Sequence, residues 1–474
     1  MPQSVADQTL WEEERKILAE LKEKQPELFV IDPAKKAGLL SRVGITALPE
    51  DLPAGYIRYS PLDFLVEEIG ADGQVVEIAD GPRHASPREG QGTVWADMVK
   101  IGISTLDAVR RVADGLGVPV EAVRYSGIKD AVAVTAQHLS IRQSSLAAVE
   151  QLAAPNVILK NLTEGKGALA VGELAGNRFT LFIRTPEPLA PDALVARVRQ
   201  LQTDGIVNYY GVQRFGSPRF LSHLYGLHLC RGDLAGAVKT FLTEASPTEA
   251  PVSAAYRSEA ASSWGDWAAM RASLGRLPYT FRHENAMLDA MVAANVPNPF
   301  FPALAAIPQQ VEMWARAYAS YLANRLMSKA ARGLGEVPAE IPLLLTMEPD
   351  AAKPYGTYLR ADGTVDCLAN LRRFRFVNIS KGGRVAVKLH PKFISARTVP
   401  EGVAICFELP KAAYATTVLM NMFDVQTGWP IPEWLKPTEY DTKELLGVGS
   451  LAPVRQKFAS IIEAMMEGKG GEEE

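Results

Sequence analysis

Tyr125-Ser126-Gly127-Ile128-Lys129-Asp130-Ala131-Val132-Ala133-Val134-Thr135-Ala136-Gln137 reads as two extended runs joined by a charged turn. Val123 and Tyr125 lead in. Val132, Val134, Leu139 and Ile141 lead out, in partial alternation with small or polar residues, the pattern of a half-buried strand. Gly127 sits at the break, where glycine permits a backbone conformation that other residues avoid. The bend predicts a hairpin with Lys129 and Asp130 at its tip and with Thr135, Gln137 and His138 polar on an otherwise apolar strand. Such a tip presents a carboxylate on a rigid support. A solvated loop has the same local pattern, so the choice depends on the rest of the chain.

The 474 residues are enough for two to four domains. Apolar content of 47% and charged content of 22% are ordinary for a globular protein. No apolar run reaches the ~18 residues of a membrane span, and the acidic N-terminal stretch with Asp7 and Glu12-Glu13-Glu14 lacks a signal-peptide layout. Three scattered cysteines, Cys230, Cys367 and Cys406, predict neither a disulfide framework nor a zinc site, and the cytoplasm is the expected compartment. Six scattered histidines form no metal constellation, and no P-loop occurs. The Gly-x-Gly-x-x-Ala matches at Gly165 and Gly447 do not join a strand to a helix, so no dinucleotide site is expected. The expectation is no cofactor and no metal.

A net charge of −4 argues against coating nucleic acid by bulk charge, but a local groove remains open. Arg372, Arg373, Arg375, Lys381, Arg384, Lys388, Lys392 and Arg397 follow one another with no acidic residue between them, and Phe374, Phe376 and Phe393 are interleaved. This is the inventory of an RNA-contacting stretch; the alternative is a strand edge kept soluble by its charges.

Thr9 to Lys24 has the rhythm of an amphipathic helix, ended by Pro26 and Pro33. Strands are expected in Tyr56 to Ile69, Gln74 to Ala79, Thr93 to Ile101, Val157 to Leu159, Ala168 to Val171, Arg178 to Ile183 and Val403 to Leu409. Gly81 to Gly92 reads as a loop and Gly176-Asn177 as a tight turn. Ser104 is placed to cap a helix whose apolar face is Ala108, Val109, Val112, Ala113 and Leu116, ending at Gly117. Residues from about 220 to 398 are mostly helical by pattern, and Pro453 to Met466 is a last helix before a disordered tail. Asn208-Tyr209-Tyr210-Gly211-Val212-Gln213-Arg214-Phe215-Gly216 gathers the aromatic, amide and guanidinium groups that stack on bases and hold phosphates, or equally those of a buried aromatic cluster. Asp130 and Glu67 could form a glycosidase pair. A single carboxylate acting on a base or sugar, with stacking aromatics and a basic groove, is the more economical reading.

Five separated segments resemble, in order, the TruD family of tRNA pseudouridine synthases. They are Arg58-Tyr59-Ser60-Pro61-Leu62-Asp63-Phe64-Leu65-Val66-Glu67-Glu68; Gly127-Ile128-Lys129-Asp130 with Ala133, Thr135 and Gln137; Gly172 to Phe179; Asn208 to Gly216; and Leu409-Pro410 with Tyr414-Ala415-Thr416. The helix with Ala317, Tyr318, Ser320, Tyr321, Asn324 and Arg325 also looks like a family segment. The resemblance implies an α+β fold, with a mixed, mostly antiparallel pseudouridine-synthase sheet and an inserted family-specific α/β (TRUD) domain, and with RNA in the cleft between them. The expected divisions are 1–45 as a helical extension, 46–219 and 399–435 as the catalytic domain, 220–398 as the insertion, and 436–474 as a C-terminal helix and tail. It implies an isomerase that converts uridine to pseudouridine in the D arm of tRNA, acting as a monomer, with Asp130 as nucleophile. Arg58 would orient Asp130, Phe179 would stack on the flipped base, Asn177 would hydrogen-bond nearby, and Lys129 would touch phosphate or brace the loop. Tyr209, Gln213 and Arg214, with Arg372, Arg373 and Arg375, would meet RNA. The chain departs from the family's pattern at Ala131, Ala412, Met420 and Asn421. A non-catalytic RNA-binding protein on the same scaffold is the alternative.

Overall fold

The computed structural model describes residues 5–30, 38–79, 90–428 and 431–470. Two compact units divide the chain: Pro49–Ile206 with Leu389–Glu474, and Met1–Leu48 with Val207–Lys388.

The first unit is built on strands β1 (Ala54–Tyr56), β2 (Phe64–Gly70), β3 (Thr93–Ile101), β4 (Val123–Tyr125), β5 (Val134–Arg142), β6 (Val157–Gly165), β7 (Leu174–Arg184), β8 (Lys392–Val399), β9 (Gly402–Pro410) and β10 (Asp424–Gln426). They form one sheet with the spatial order β8-β9-β7-β2-β5-β3-β6; β1 pairs with β7 and β10, and β4 pairs with β5. The β2–β5 and β1–β10 pairs are parallel. The remaining pairs are antiparallel. The fold is therefore α+β with a mixed, mostly antiparallel sheet. One edge of β5 serves two partners. Val134, Thr135 and Ala136 face β2, and beyond them Leu139, Ser140 and Ile141 face β4. The loop with Asp130 closes this corner.

Alternation along β2 sends its side chains to two cores. Phe64 and Val66 join Phe179, Leu181, Ile183, Ile405 and Phe407 on one face. Leu65 joins Val99, Ile101, Val134 and Ala136 on the other, beneath Leu451, Val454, Phe458 and Ile462. Each buried Val, Leu, Ile or Phe among them contributes about 1.5–3 kcal/mol relative to exposure. The helix Thr105–Leu116 is capped by Ser104, whose Oγ accepts the Asp107 N–H at 3.1 Å. Its Ala108, Val109, Val112 and Ala113 pack on Val94, Met98, Leu139 and Ile141.

Several local expectations are corrected. Gln74 to Ala79 is not a strand: only Val75 bridges to Ile69, and Glu67 takes the Ile78 N–H at 2.7 Å with its side chain. Ala168 to Val171 is loop, tied down by the Leu169 N–H donating to Ser140 Oγ at 2.9 Å. Gly176-Asn177 is not a turn but the start of β7, opposite Pro410 and Leu409. Glycine is required there by close approach, since a Cβ at 176 would lie 2.1 Å from the Leu409 carbonyl oxygen. The C-terminal segment forms two helices, Ala452–Lys457 and Ala459–Gly470, so helix replaces the expected tail as far as Gly470. Residues 471–474, Pro33 and most of the Gly81–Gly92 loop lie outside the described residues.

The second unit is mainly helical, with a small antiparallel sheet of Glu340–Pro342 and Arg384–Ala386. The N-terminal helix Val5–Lys24 belongs here: Glu14 accepts the Tyr279 N–H at 2.7 Å and the Thr280 N–H at 2.9 Å. Arg257 is buried between Glu249 and Glu284, 2.9 Å from each. Cys230 and Cys367, 137 residues apart in sequence, meet where the helices Ser222–Arg231 and Cys367–Leu371 pack together. No helix among the described residues is long and apolar enough to cross a membrane.

Candidate active site

The approach to β2 is a tight turn. Ser60 caps Pro61–Asp63, and Asp63 is bound by Arg184 at 3.1 Å. Just before it, Arg58 adopts φ 64°, a left-handed conformation that costs a non-glycine residue energy. There its guanidinium stands 4.1 Å from the Phe64 ring centroid and 3.2 Å from the Asp130 carboxylate. The Asp130 side chain is 44% exposed. A half-exposed ion pair of this kind adds little stability; what it fixes is direction.

The loop behind Asp130 is held from inside. The Lys129 N–H donates to Thr105 Oγ1 at 2.9 Å, and Thr105 Oγ1 donates to Gln137 Oε1 at 3.1 Å. Gln137 Nε2 donates to the Gly127 carbonyl at 3.0 Å. Lys100 Nζ donates to the Asp130 carbonyl at 2.6 Å. The hairpin-tip expectation is thus corrected for Lys129. Its residue is 5% exposed, and its Nζ lies 2.8 Å from Glu68 and 2.6 Å from Asn177 Oδ1. Ile128 and Val132 are the exposed side chains instead. A lysine can leave water here because Glu68 goes with it.

Glu68 also accepts the His138 N–H at 3.2 Å, and the His138 ring lies 2.9 Å from Asp97, which Asn161 holds at 2.7 Å. Burial pulls the His138 imidazole down, but the Asp97 hydrogen bond and charge, with Glu68 and Asp72, leave it above the usual histidine value.

On β7, Asn177 is half-buried, whereas Phe179 is 5% exposed. The Phe179 ring stacks on Phe407 at 5.6 Å and meets Phe64 edge-on at 6.4 Å. It backs the phenyl ring on which Arg58 rests. Glu67 points away: it is buried with Lys443, which also binds Glu77 at 2.7 Å, and burial raises the Glu67 carboxyl above its ordinary range. Successive residues of a strand face opposite sides, so Glu67 cannot pair with Asp130 and the glycosidase reading is withdrawn.

Arg58, Lys129, Asp130, Asn177 and Phe179 are brought together in the sheet unit. Tyr209, Gln213, Arg214, Arg372, Arg373 and Arg375 belong to the helical unit. Tyr209 is buried, with Ser328 Oγ donating to its hydroxyl at 3.0 Å. Gln213 is exposed and Arg214 half-buried, its guanidinium 5.9 Å from the Tyr210 ring centroid. Arg372, Arg373 and Arg375 are exposed, but Phe374 between them is buried against Phe301 and offers no stacking platform. Lys392 and Arg397 lie on β8, so the basic run is divided between the units.

The family model for tRNA pseudouridine synthase D (TruD) matches residues 47–341. This chain belongs to the TruD family. Its TruD relatives include the Methanopyrus kandleri protein named "Probable tRNA pseudouridine synthase D", 30% identical over 67% of this chain and 82% of that protein. A Pyrobaculum neutrophilum protein of the same name is 29% identical over 78% of this chain and 92% of that one. The crystal structure of a Methanosarcina mazei protein named "Putative tRNA pseudouridine synthase D (TruD)" superposes with a TM-score of 0.62 at 21% identity, covering 81% of this chain and 98% of that chain, a likeness of fold. Three departures from the TruD pattern have a visible physical setting. Ala412 adopts φ 67°, the left-handed region that favours glycine. Met420 is buried, and the Asn421 carbonyl accepts the Arg197 guanidinium at 2.9 Å. Sequence reasoning missed Glu68, Thr105 and Lys100 as parts of the site. For Lys100 the signal was available: a lysine between Val99 and Ile101 in β3.

Proposed function

We propose that this chain converts uridine to pseudouridine in tRNA, a D-arm uridine by analogy with the family, with Asp130 as nucleophile. The Arg58–Asp130 pair, 3.2 Å apart on a loop whose main chain is tied to the sheet, carries the reading. A carboxylate is ionised at neutral pH and can leave again. In the proposed sequence a carboxylate oxygen of Asp130 bonds to the uridine and the N1–C1′ bond breaks. The freed uracil turns, C5 bonds to C1′, and the bond to Asp130 breaks. C5 loses its proton and N1 gains one, so the step is an isomerisation with no change of oxidation state.

Arg58 aims the carboxylate. Lys129 braces the loop, since its ammonium is already engaged by Glu68 and Asn177. Asn177 accepts from Lys129 through Oδ1, which leaves its amide N–H groups to donate to a uracil carbonyl. Phe179, stacked on Phe407, supports the aromatic wall beneath Arg58. The test is pseudouridine mapping of tRNA treated with wild type and with Asp130→Asn. Wild type forms pseudouridine and the variant forms none. A wild type inactive on every tRNA offered overturns the reaction; an active Asp130→Asn overturns the nucleophile.

A further inference from the structure

Lys100 is fully buried, 0% exposed, on β3. Its Nζ donates to two carbonyls, Ile103 at 2.8 Å and Asp130 at 2.6 Å. A lysine taken wholly out of water is disfavoured unless something specific is gained, and its neighbours along the strand, Val99 and Ile101, are apolar. A methionine would fill a similar volume. What methionine lacks is a donor for the Asp130 carbonyl, and that carbonyl belongs to the residue whose carboxylate meets Arg58 on the outer side.

We propose that Lys100 is a positioning residue that clamps the main chain of Asp130 and so keeps its carboxylate in the reactive direction. This rests on the reading of Asp130 as nucleophile. Thr105 and Gln137 anchor the residues before it, at Lys129 and Gly127; Lys100 anchors the reacting residue itself. The charged groups facing Lys100 are Asp130 and Lys129 on the loop and Asp107 on the helix Thr105–Leu116. Burial pushes its ammonium down to about 8, against the pull of Asp130, with Lys129 adding to the fall and Asp107 opposing it. Deprotonation converts a charge-assisted hydrogen bond to a weaker neutral one, so the clamp slackens above that pH. Stability runs the other way. The folded value lies below the ordinary 10.5, so the folded chain carries fewer protons than the unfolded chain between about 8 and 10.5, and this group's contribution to stability rises with pH across that window.

The experiment compares wild type with Lys100→Met and Lys100→Gln in single-turnover pseudouridine formation across pH, together with amide hydrogen exchange over residues 128–133. Expected for both variants is a rate lowered roughly 10- to 100-fold, the cost of a small misplacement, with the KM for tRNA unchanged. The wild-type decline in rate above about pH 8 is absent from the variants, and exchange in the loop is faster. A folded variant with the wild-type rate, or one that keeps the alkaline decline, overturns the proposal. If Lys100→Met does not fold, Lys100→Gln decides. If wild type forms no pseudouridine, the reaction reading fails, and unchanged loop exchange in the variants would still overturn the clamp by itself.

Discussion

Lys129 Nζ lies 2.8 Å from Glu68 Oε2 with both side chains buried, while the next residue, Asp130, turns its carboxylate outward. The loop hides a cation in order to hold an anion at the surface. Removing one partner strands a buried charge. Glu68→Ala is expected to cost about 3–5 kcal/mol of stability in urea unfolding. The double variant Glu68→Leu with Lys129→Met, which removes both charges, is expected to recover most of that loss while pseudouridine formation stays low. A cost below about 1 kcal/mol for the single variant, the size of a surface pair, would mean the pair does not hold the loop.

Arg58 at φ 64° allows the guanidinium and the backbone to be tested separately. Arg58→Ala and Arg58→Gly both remove the ion pair with Asp130, and both should abolish most of the activity. They differ only in backbone. A left-handed alanine costs about 1–2 kcal/mol, partly offset by the extra chain entropy of glycine. Arg58→Gly is therefore expected to be more stable than Arg58→Ala by about 0.5–1 kcal/mol. Equal unfolding midpoints would show that the left-handed turn stores no strain.

Much of this scaffold was legible because it depends on neighbours in sequence. The cap at Ser104, the strand β3, the partial apolar alternation of β5, and the strand ending at Pro410 all follow from short windows of the chain. The failures have a common cause in long-range partners. Gln74 to Ala79 reads as a short strand, but the buried carboxylate of Glu67 takes the Ile78 N–H. Lys129 looks like a solvated tip until Glu68 is known to lie behind it. The left-handed Arg58 leaves no trace in sequence, since no glycine marks it, and the family resemblance alone singled out that residue.

His138 gives a pH signature. Its imidazole is held above the ordinary value because the Asp97 hydrogen bond and charge outweigh burial. A raised folded value means that the stabilisation is fully present below the unfolded value of ~6.5 and is lost as pH rises through the folded value. Wild type should therefore lose stability relative to His138→Gln as pH increases from about 6 through neutrality, measured by urea midpoints. A difference that is flat across this range would show that the Asp97–His138 contact is not charged in the fold.

Ala412 occupies a left-handed position, φ 67°, in the turn that follows β9. Ala412→Gly removes the clash of a Cβ in that region, worth about 1–2 kcal/mol, against roughly 0.5–1 kcal/mol of added chain entropy. The expected outcome is a gain of up to about 1 kcal/mol in unfolding free energy with activity unchanged. A destabilised variant would mean that the methyl group packs against something worth more than the strain it causes.

Arg372, Arg373 and Arg375 are exposed in the helical unit and make no ion pair among the described residues. If they meet phosphates, each arginine removed lowers the slope of log affinity against log salt by about 0.7–0.9. Replacing all three with alanine should weaken tRNA binding at low salt far more than at high salt, because the missing contribution is counterion release. The single-turnover rate at saturating tRNA should stay near wild type, since none of the three shares a unit with Asp130. Binding measured as a function of salt separates this from a folding defect, which would lower affinity equally at every salt concentration. An unchanged slope would return the three arginines to the role of solvated surface charges.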